Sequence, residues 1–304
     1  MSFAIEGVFC AAATPLKADG SPDLALFGAH TRALIEEGCH GIAMLGSTGE
    51  ANSFGTRDRM ALLEAAIAGG TRPDQLLPGT SSCAVTEAVE MTRHAVRAGV
   101  RAVVMLPPFY YKAFSDESLF RFYASIIEKV ADNRLRVILY HIPMLTGVPI
   151  SHDLIARLIA EFPDTVIGIK DSDGKIENMH AISARFPDFA VLAGADPLLL
   201  PVLQGGGAGC ITATSNLVAG DLRLVFDHWR DPARAGEVKA AQDSIVAWRN
   251  LTNRFVQLPT VKTMLARRRG DMGWLNIHPP FSPLSQAEAA QVWSAMAALE
   301  GAAA

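Results

Sequence analysis

The sequence predicts an α/β fold, a (β/α)8 TIM barrel with a C-terminal helical extension, and three observations predict it. Eight short apolar runs rich in β-branched residues recur along the 304 residues, at spacings of roughly 20 to 35 residues. Segments with helical periodicity separate them. Most runs are continuous rather than alternating, which means burial on both faces, as in parallel strands covered by helices. A barrel of about 250 residues with an appendage fits the length as well as two domains of about 150 would. The expected division is a catalytic barrel over 1–216 and a helical region packed on it over 217–304.

The strands are expected at 7–13, 41–45, 76–79, 102–106, 137–140, 166–169, 190–193 and 209–213. The first connecting helix opens on Ser21-Pro22-Asp23, a helix-start signature, carries Leu24, Phe27, Leu34 and Ile35, and stops at Gly38. Further helices fit 56–68, 85–97, 116–130, 152–160, 176–184 and 197–203. Beyond the eighth run the pattern is helical only, at 222–229, 237–255, 260–267 and 286–299, punctuated by Pro232, Pro259 and Pro279-Pro280. The rival architecture, a doubly wound open sheet, normally carries a phosphate or dinucleotide fingerprint after its first strand, and Thr14-Pro15-Leu16-Lys17 is not one. Gly205-Gly206-Gly207 precedes a strand and so reads as a turn on the opposite face.

Composition narrows the function classes. With 27 Lys and Arg against 31 Asp and Glu, the net charge of −4 gives no field favouring nucleic acid or an anionic membrane, and Arg267-Arg268-Arg269 reads as a solvated helix end. Four scattered cysteines without a CxxC spacing argue against a disulfide framework and a zinc cluster. The eight histidines show no metal-ligand spacing, so neither metal nor cofactor is expected. With no export signal and no apolar stretch approaching about 18 residues, a soluble cytoplasmic protein is expected.

A barrel places its chemistry at the C-terminal ends of its strands. After the second run comes Gly46-Ser47-Thr48-Gly49-Glu50, where two glycines permit a tight turn and two hydroxyls flank backbone amides. Such a turn can hold a carboxylate, or it is an ordinary strand-to-helix connection. Three of the four tyrosines fall at two strand ends, in Pro107-Pro108-Phe109-Tyr110-Tyr111 and Tyr140-His141-Ile142-Pro143. Phenols there relay protons or form an amphipathic rim. The sixth run leads into Lys170-Asp171. A lysine at the end of a buried strand either pairs outward with Asp171 or offers its free amine to a ketone, desolvation favouring the neutral form. The phenol closing the neighbouring run favours the catalytic reading. The seventh run closes on Gly194-Ala195-Asp196, where Asp196 reads a substrate hydroxyl or caps the next helix.

These residues resemble the dihydrodipicolinate synthase and N-acetylneuraminate lyase family of Schiff-base, pyruvate-handling enzymes. The similarity rests on Gly46-Ser47-Thr48-Gly49-Glu50, Pro108-Phe109-Tyr110-Tyr111, Tyr140-His141-Ile142-Pro143, Gly168-Ile169-Lys170-Asp171 and Gly209-Cys210-Ile211-Thr212, in family order over nearly the whole chain. The resemblance implies that Lys170 is the Schiff-base lysine and Tyr140 the proton-transferring phenol. It implies that Thr48 links Tyr140 to a second tyrosine from a neighbouring subunit, Tyr110 or, one residue on, Tyr111. Ser47 and Thr48 resemble the carboxylate clamp and the Ile211 carbonyl faces the lysine; Gly194 joins these as a substrate-binding position. The implied assembly is a homodimer or homotetramer.

Three departures bear on the substrate. Leu145 stands where the synthases proper carry an arginine for the carboxylate of aspartate semialdehyde, Ser47 replaces a threonine, and His141 replaces an asparagine. Losing the arginine removes a charge-assisted contact on which discrimination depends. Pro197 stands where sialic-acid lyases carry an acidic residue. The expected activity is therefore reversible aldol cleavage of a 4-hydroxy-2-oxo acid, of the 2-oxo-3-deoxy sugar acid type, to pyruvate and an aldehyde. The alternatives are 4-hydroxy-tetrahydrodipicolinate synthase, a related 2-oxo acid dehydratase using the same residues, and a non-enzymatic 2-oxo acid binding barrel.

Overall fold

The computed structural model describes residues 5–302. Its strands are β1 (Gly7–Ala11), β2 (Gly41–Ala43), β3 (Val103–Met105), β4 (Val137–His141), β5 (Val166–Asp171), β6 (Ala190–Ala193) and β7 (Gly209–Thr212). All pair in parallel in the order β2-β1-β7-β6-β5-β4-β3. The ring is completed by the segment 76–80, which bridges Leu76 to Ile42 on one side and Gly79 to Val104 on the other. Leu77 and Gly79 donate to the carbonyls of Ile42 and Met44, and Thr80 donates to Val104. Pro78 has no N–H to give, which is why this stave bridges its neighbours instead of forming a full ladder. Gly79 is required there because a Cβ would lie 2.1 Å from the Leu45 carbonyl oxygen. The fold is the TIM barrel that the strand-helix cadence predicts.

The helices between the strands are α1 (Leu24–Glu36), α2 (Thr56–Ala68), α3 (Val85–Arg97), α4 (Asp116–Val130), α5 (Pro143–Thr146), α6 (His152–Glu161), α7 (Ile176–Arg185), α8 (Leu199–Gln204) and α9 (Ser215–His228). Asp23, Ser115 and Ser151 cap α1, α4 and α6 by accepting the backbone N–H three residues on. Outside the ring follow α10 (Ala235–Thr252), α11 (Gln257–Arg269) and α12 (Gln286–Ala302). Among the described residues no helix is long and apolar enough to cross a membrane.

Strand periodicity sorts the core into two layers. Phe9, Ala11, Ile138, Tyr140, Leu192 and Ile211 pack together inside the barrel, while Val8, Cys10, Leu139 and Val191 join the larger cluster between strands and helices. Both faces of each strand are therefore buried, the physical origin of the continuous apolar runs. Asn216 pins α9 to β1, donating to the Ala11 carbonyl at 2.9 Å and accepting from the Ala13 N–H at 3.2 Å. The thin stave has its own fastening. Arg59, from α2, is 6% exposed and donates to the carbonyls of Ser81 and Gly79 at 2.9 and 2.8 Å. Burial pulls its guanidinium down to about 10.

Candidate active site

Lys170 on β5 and Tyr140 on β4 occupy paired positions of adjacent parallel strands, so both side chains enter the barrel interior at its C-terminal end. They are 5% and 4% exposed, and the ammonium lies 4.1 Å from the phenol ring centre. Burial pushes the Tyr140 phenol up; the Lys170 charge and hydrogen bonds from Ser47, Lys170 and Ser172 outweigh it and leave the phenol below its ordinary value. The two groups line a cavity together with Ser47, Asn52, Ser81 and Ile211. Among the described residues, no charged side chain apart from Lys170 lines it.

The turn after β2 is bracketed by left-handed backbone at Leu45 (φ 59°) and Glu50 (φ 55°). Non-glycine residues held there carry strain, which clusters at functional sites. Ser47 lines the cavity and bonds the Tyr140 phenol; Thr48, expected to make that link, is half-buried beside it and is not among the cavity-lining residues. Ser47, one residue before Thr48, is the hydroxyl of this turn set beside the phenol.

Gly194, at the end of β6, donates to the Asp171 carbonyl at 2.7 Å, and a Cβ there would lie 1.9 Å from the Ser172 hydroxyl oxygen. It shapes the place of a phenol-bonding residue rather than lining the cavity itself. Ser172 escaped sequence reasoning; the signal available was a hydroxyl two positions after the strand-end lysine. Ile211 on β7 lines the cavity as expected of a residue facing the lysine. Asp171, fully buried, is not the lysine's outward partner. Its carboxylate accepts from Asn178 at 2.7 Å and from the Asp173 N–H at 2.9 Å.

Tyr110 and Tyr111 stand apart from this constellation. They are 75% and 71% exposed, in edge-to-face contact at 5.2 Å, and neither lines the cavity. Met144 and Leu145 are exposed as well. His141 takes the Ile150 N–H on Nδ1 at 3.1 Å, and burial holds its imidazole below its ordinary value against the pull of Asp171 and Asp173. Asp196 is buried and pairs with Arg249 at 3.3 Å. Among the described residues no group of three or more His, Cys, Asp or Glu side chains is arranged to hold a metal ion.

A parallel barrel with a buried lysine and a hydrogen-bonded phenol at its C-terminal mouth defines a lyase of the Schiff-base type. The model of the dihydrodipicolinate synthetase family matches residues 4–299, and the chain belongs to that family. It is similar to a DapA-like lyase of uncharacterised activity from Chloroflexus aurantiacus, 32% identical over 95% of both chains. It is also similar to YagE of Escherichia coli K12, provisionally named a 2-dehydro-3-deoxy-D-gluconate aldolase, 30% identical over 94% of both chains. The structure of YagE in complex with pyruvate superposes with a TM-score of 0.89, covering 97% of this chain and 99% of that one at 27% identity. The dihydrodipicolinate synthase of Agrobacterium tumefaciens gives 0.85, covering 96% and 99% at 30% identity.

Proposed function

We propose that the protein cleaves a 4-hydroxy-2-oxo acid of the 2-oxo-3-deoxy sugar acid type to pyruvate and an aldehyde, and runs the aldol addition in reverse. The observation that carries this reading is the Lys170 ammonium set against the Tyr140 phenol in a cavity with no other charged lining. The Lys170 amine attacks C2, and loss of water gives an iminium. The Tyr140 phenolate takes the C4 hydroxyl proton, the C3–C4 bond breaks, and its electron pair enters the iminium as an enamine. Protonation at C3 and hydrolysis release pyruvate and regenerate the amine. The backbone and hydroxyls of the Ser47-Thr48 turn hold the substrate carboxylate, and Ile211 and Gly194 border the substrate. Ser47 and Ser172 steady the phenolate, and Tyr110 reaches the same relay from a second copy of the chain, so a dimer or a tetramer built of dimers is the active form. Likeness to YagE, bound to pyruvate, supports the pyruvate half; the uncharged lining supports a neutral polyhydroxy aldehyde over an anionic one.

Borohydride reduction with pyruvate, followed by peptide mapping, tests the reading. A pyruvyl adduct on Lys170 that disappears in Lys170→Ala is expected; its absence from the unmodified protein overturns the assignment. A second reading, 4-hydroxy-tetrahydrodipicolinate synthase, is favoured by one contact. The Lys112 ammonium donates to the Thr146 carbonyl at 2.5 Å, beside Leu145 where the synthases' arginine is missing. Turnover with pyruvate and aspartate semialdehyde that is lost in Lys112→Met would select it.

A further inference from the structure

Behind the catalytic turn lies a buried ion pair that the proposed chemistry does not use. Glu50 ends the turn, and its Oε1 meets the Lys262 ammonium at 2.5 Å; the two side chains are 0% and 1% exposed. Oε2 accepts the His278 N–H at 2.9 Å. Lys262 sits on α11, and among its neighbours on that helix Val261, Thr263, Met264 and Leu265 are all buried. Burial pulls the Lys262 ammonium below its ordinary value against the opposing charge of Glu50. Neither member of the pair lines the cavity.

The pair holds the backbone that carries Ser47. The Glu50 N–H donates to the Ser47 carbonyl, and the Ala51 N–H donates to the Gly46 carbonyl, both at 3.2 Å. Glu50 is left-handed, and its carboxylate is fixed from two directions by a helix and a loop far along the chain. A buried ion pair adds little net stability compared with apolar packing of the same volume. What it supplies is a single geometry, since a desolvated carboxylate tolerates few alternative positions.

We propose that Lys262, acting through Glu50, positions the Ser47 hydroxyl against the Tyr140 phenol, so that the helices beyond the barrel set the geometry of the proton-transferring group. The catalytic consequence rests on the reaction proposed above; the positioning itself does not. Lys262 and Glu50 are positioning residues and Ser47 is the group they position.

The test is a titration of the Tyr140 phenol by ultraviolet difference absorbance, using Tyr140→Phe as the blank to cancel the other three tyrosines. Lys262→Met and Ser47→Ala are expected to raise the Tyr140 titration by the same amount, and the double variant to raise it no further. In cleavage assays Lys262→Met is expected to lower kcat about tenfold with KM within about threefold, and to cost nothing more in the Ser47→Ala background. Lys262→Arg, which keeps the charge, restores much of both. An unmoved phenol in Lys262→Met, or equal cost with and without Ser47, overturns the proposal. If Lys262→Met does not fold, Glu50→Gln/Lys262→Met removes both buried charges and is read in the same way. The titration needs no substrate, so a missing pyruvyl adduct beside a shifted phenol sinks the reaction and leaves the positioning standing.

Discussion

Tyr140 and Lys170 are register partners on adjacent parallel strands, with the ammonium 4.1 Å from the phenol ring centre. Their spacing is set by the backbone ladder, the most rigid part of a barrel, and so is preorganised before any substrate arrives. The two side chains divide the chemistry between them, and substitutions separate their parts.

Tyr140→Phe keeps the ring and removes the hydroxyl. Pyruvyl trapping on Lys170 is expected to continue while pyruvate release falls about a hundredfold or more. Full turnover with Lys170 still modifiable would exclude the phenol from proton transfer.

Ser47→Ala and Thr48→Val distinguish two adjacent hydroxyls. Ser47→Ala removes a hydrogen bond to the phenol and is expected to lower kcat, shifting the acid limb of the pH profile to higher pH. Thr48→Val leaves that limb in place. The opposite pattern would return the link to Thr48.

Gly194→Ala places a methyl 1.9 Å from the Ser172 hydroxyl oxygen. Ser172 must move off the phenol, and kcat is expected to fall several-fold. Ser172→Ala is expected to match that loss, and the double variant Ser172→Ala/Gly194→Ala to recover none of it. A normal rate in Gly194→Ala would remove Ser172 from the site.

Acid stability reads out the buried His30 and the half-buried His40. His30 donates from Nε2 to the Asn216 side-chain oxygen at 3.1 Å, and burial, then the Arg269 charge, hold it at about 3 against an ordinary 6.5. His40 accepts the Val8 N–H at 3.0 Å and is held at about 4, by burial and then by Arg223. The native state binds fewer protons than the unfolded chain at both places, so stability is complete above about pH 6.5 and falls as pH drops toward 4. The buried His30 is expected to cost about 2 kcal/mol by pH 5 and the half-buried, solvent-screened His40 less. Urea unfolding of His30→Gln should show a flatter dependence over that window; an unchanged slope would contradict the assignment.

The barrel was legible because burial on both strand faces writes continuous apolar runs, and helices α2, α3 and α4 start and stop where periodicity predicts. Helix α5, at four residues, is too short to show a period. Lys170 and Tyr140 could be singled out as candidates because barrels display chemistry at strand ends. Which of Ser47 and Thr48 lines the cavity could not, because the turn between the left-handed Leu45 and Glu50 has no periodicity to read. The Glu50–Lys262 pair joins positions 212 residues apart, although a lone lysine between Val261 and Thr263 was a visible oddity. The exposed Tyr110 and Tyr111 have no role that one protomer explains, and only the resemblance suggested one.

The thin stave between β2 and β3 makes the ring unequal around its circumference. Bridges at Leu76 and Gly79, interrupted by Pro78, are reinforced by two bonds from the buried Arg59 guanidinium. This is the seam along which the cylinder is expected to open first. Amide exchange should be fastest at Leu77, Gly79 and Thr80 among the staves, and Arg59→Met, by orphaning two carbonyls, should loosen the whole sheet by about 2 to 4 kcal/mol. A hoop opened at that point also frees β2 and the Ser47 turn that follows it, so heat would be expected to silence the enzyme before it unfolds the chain.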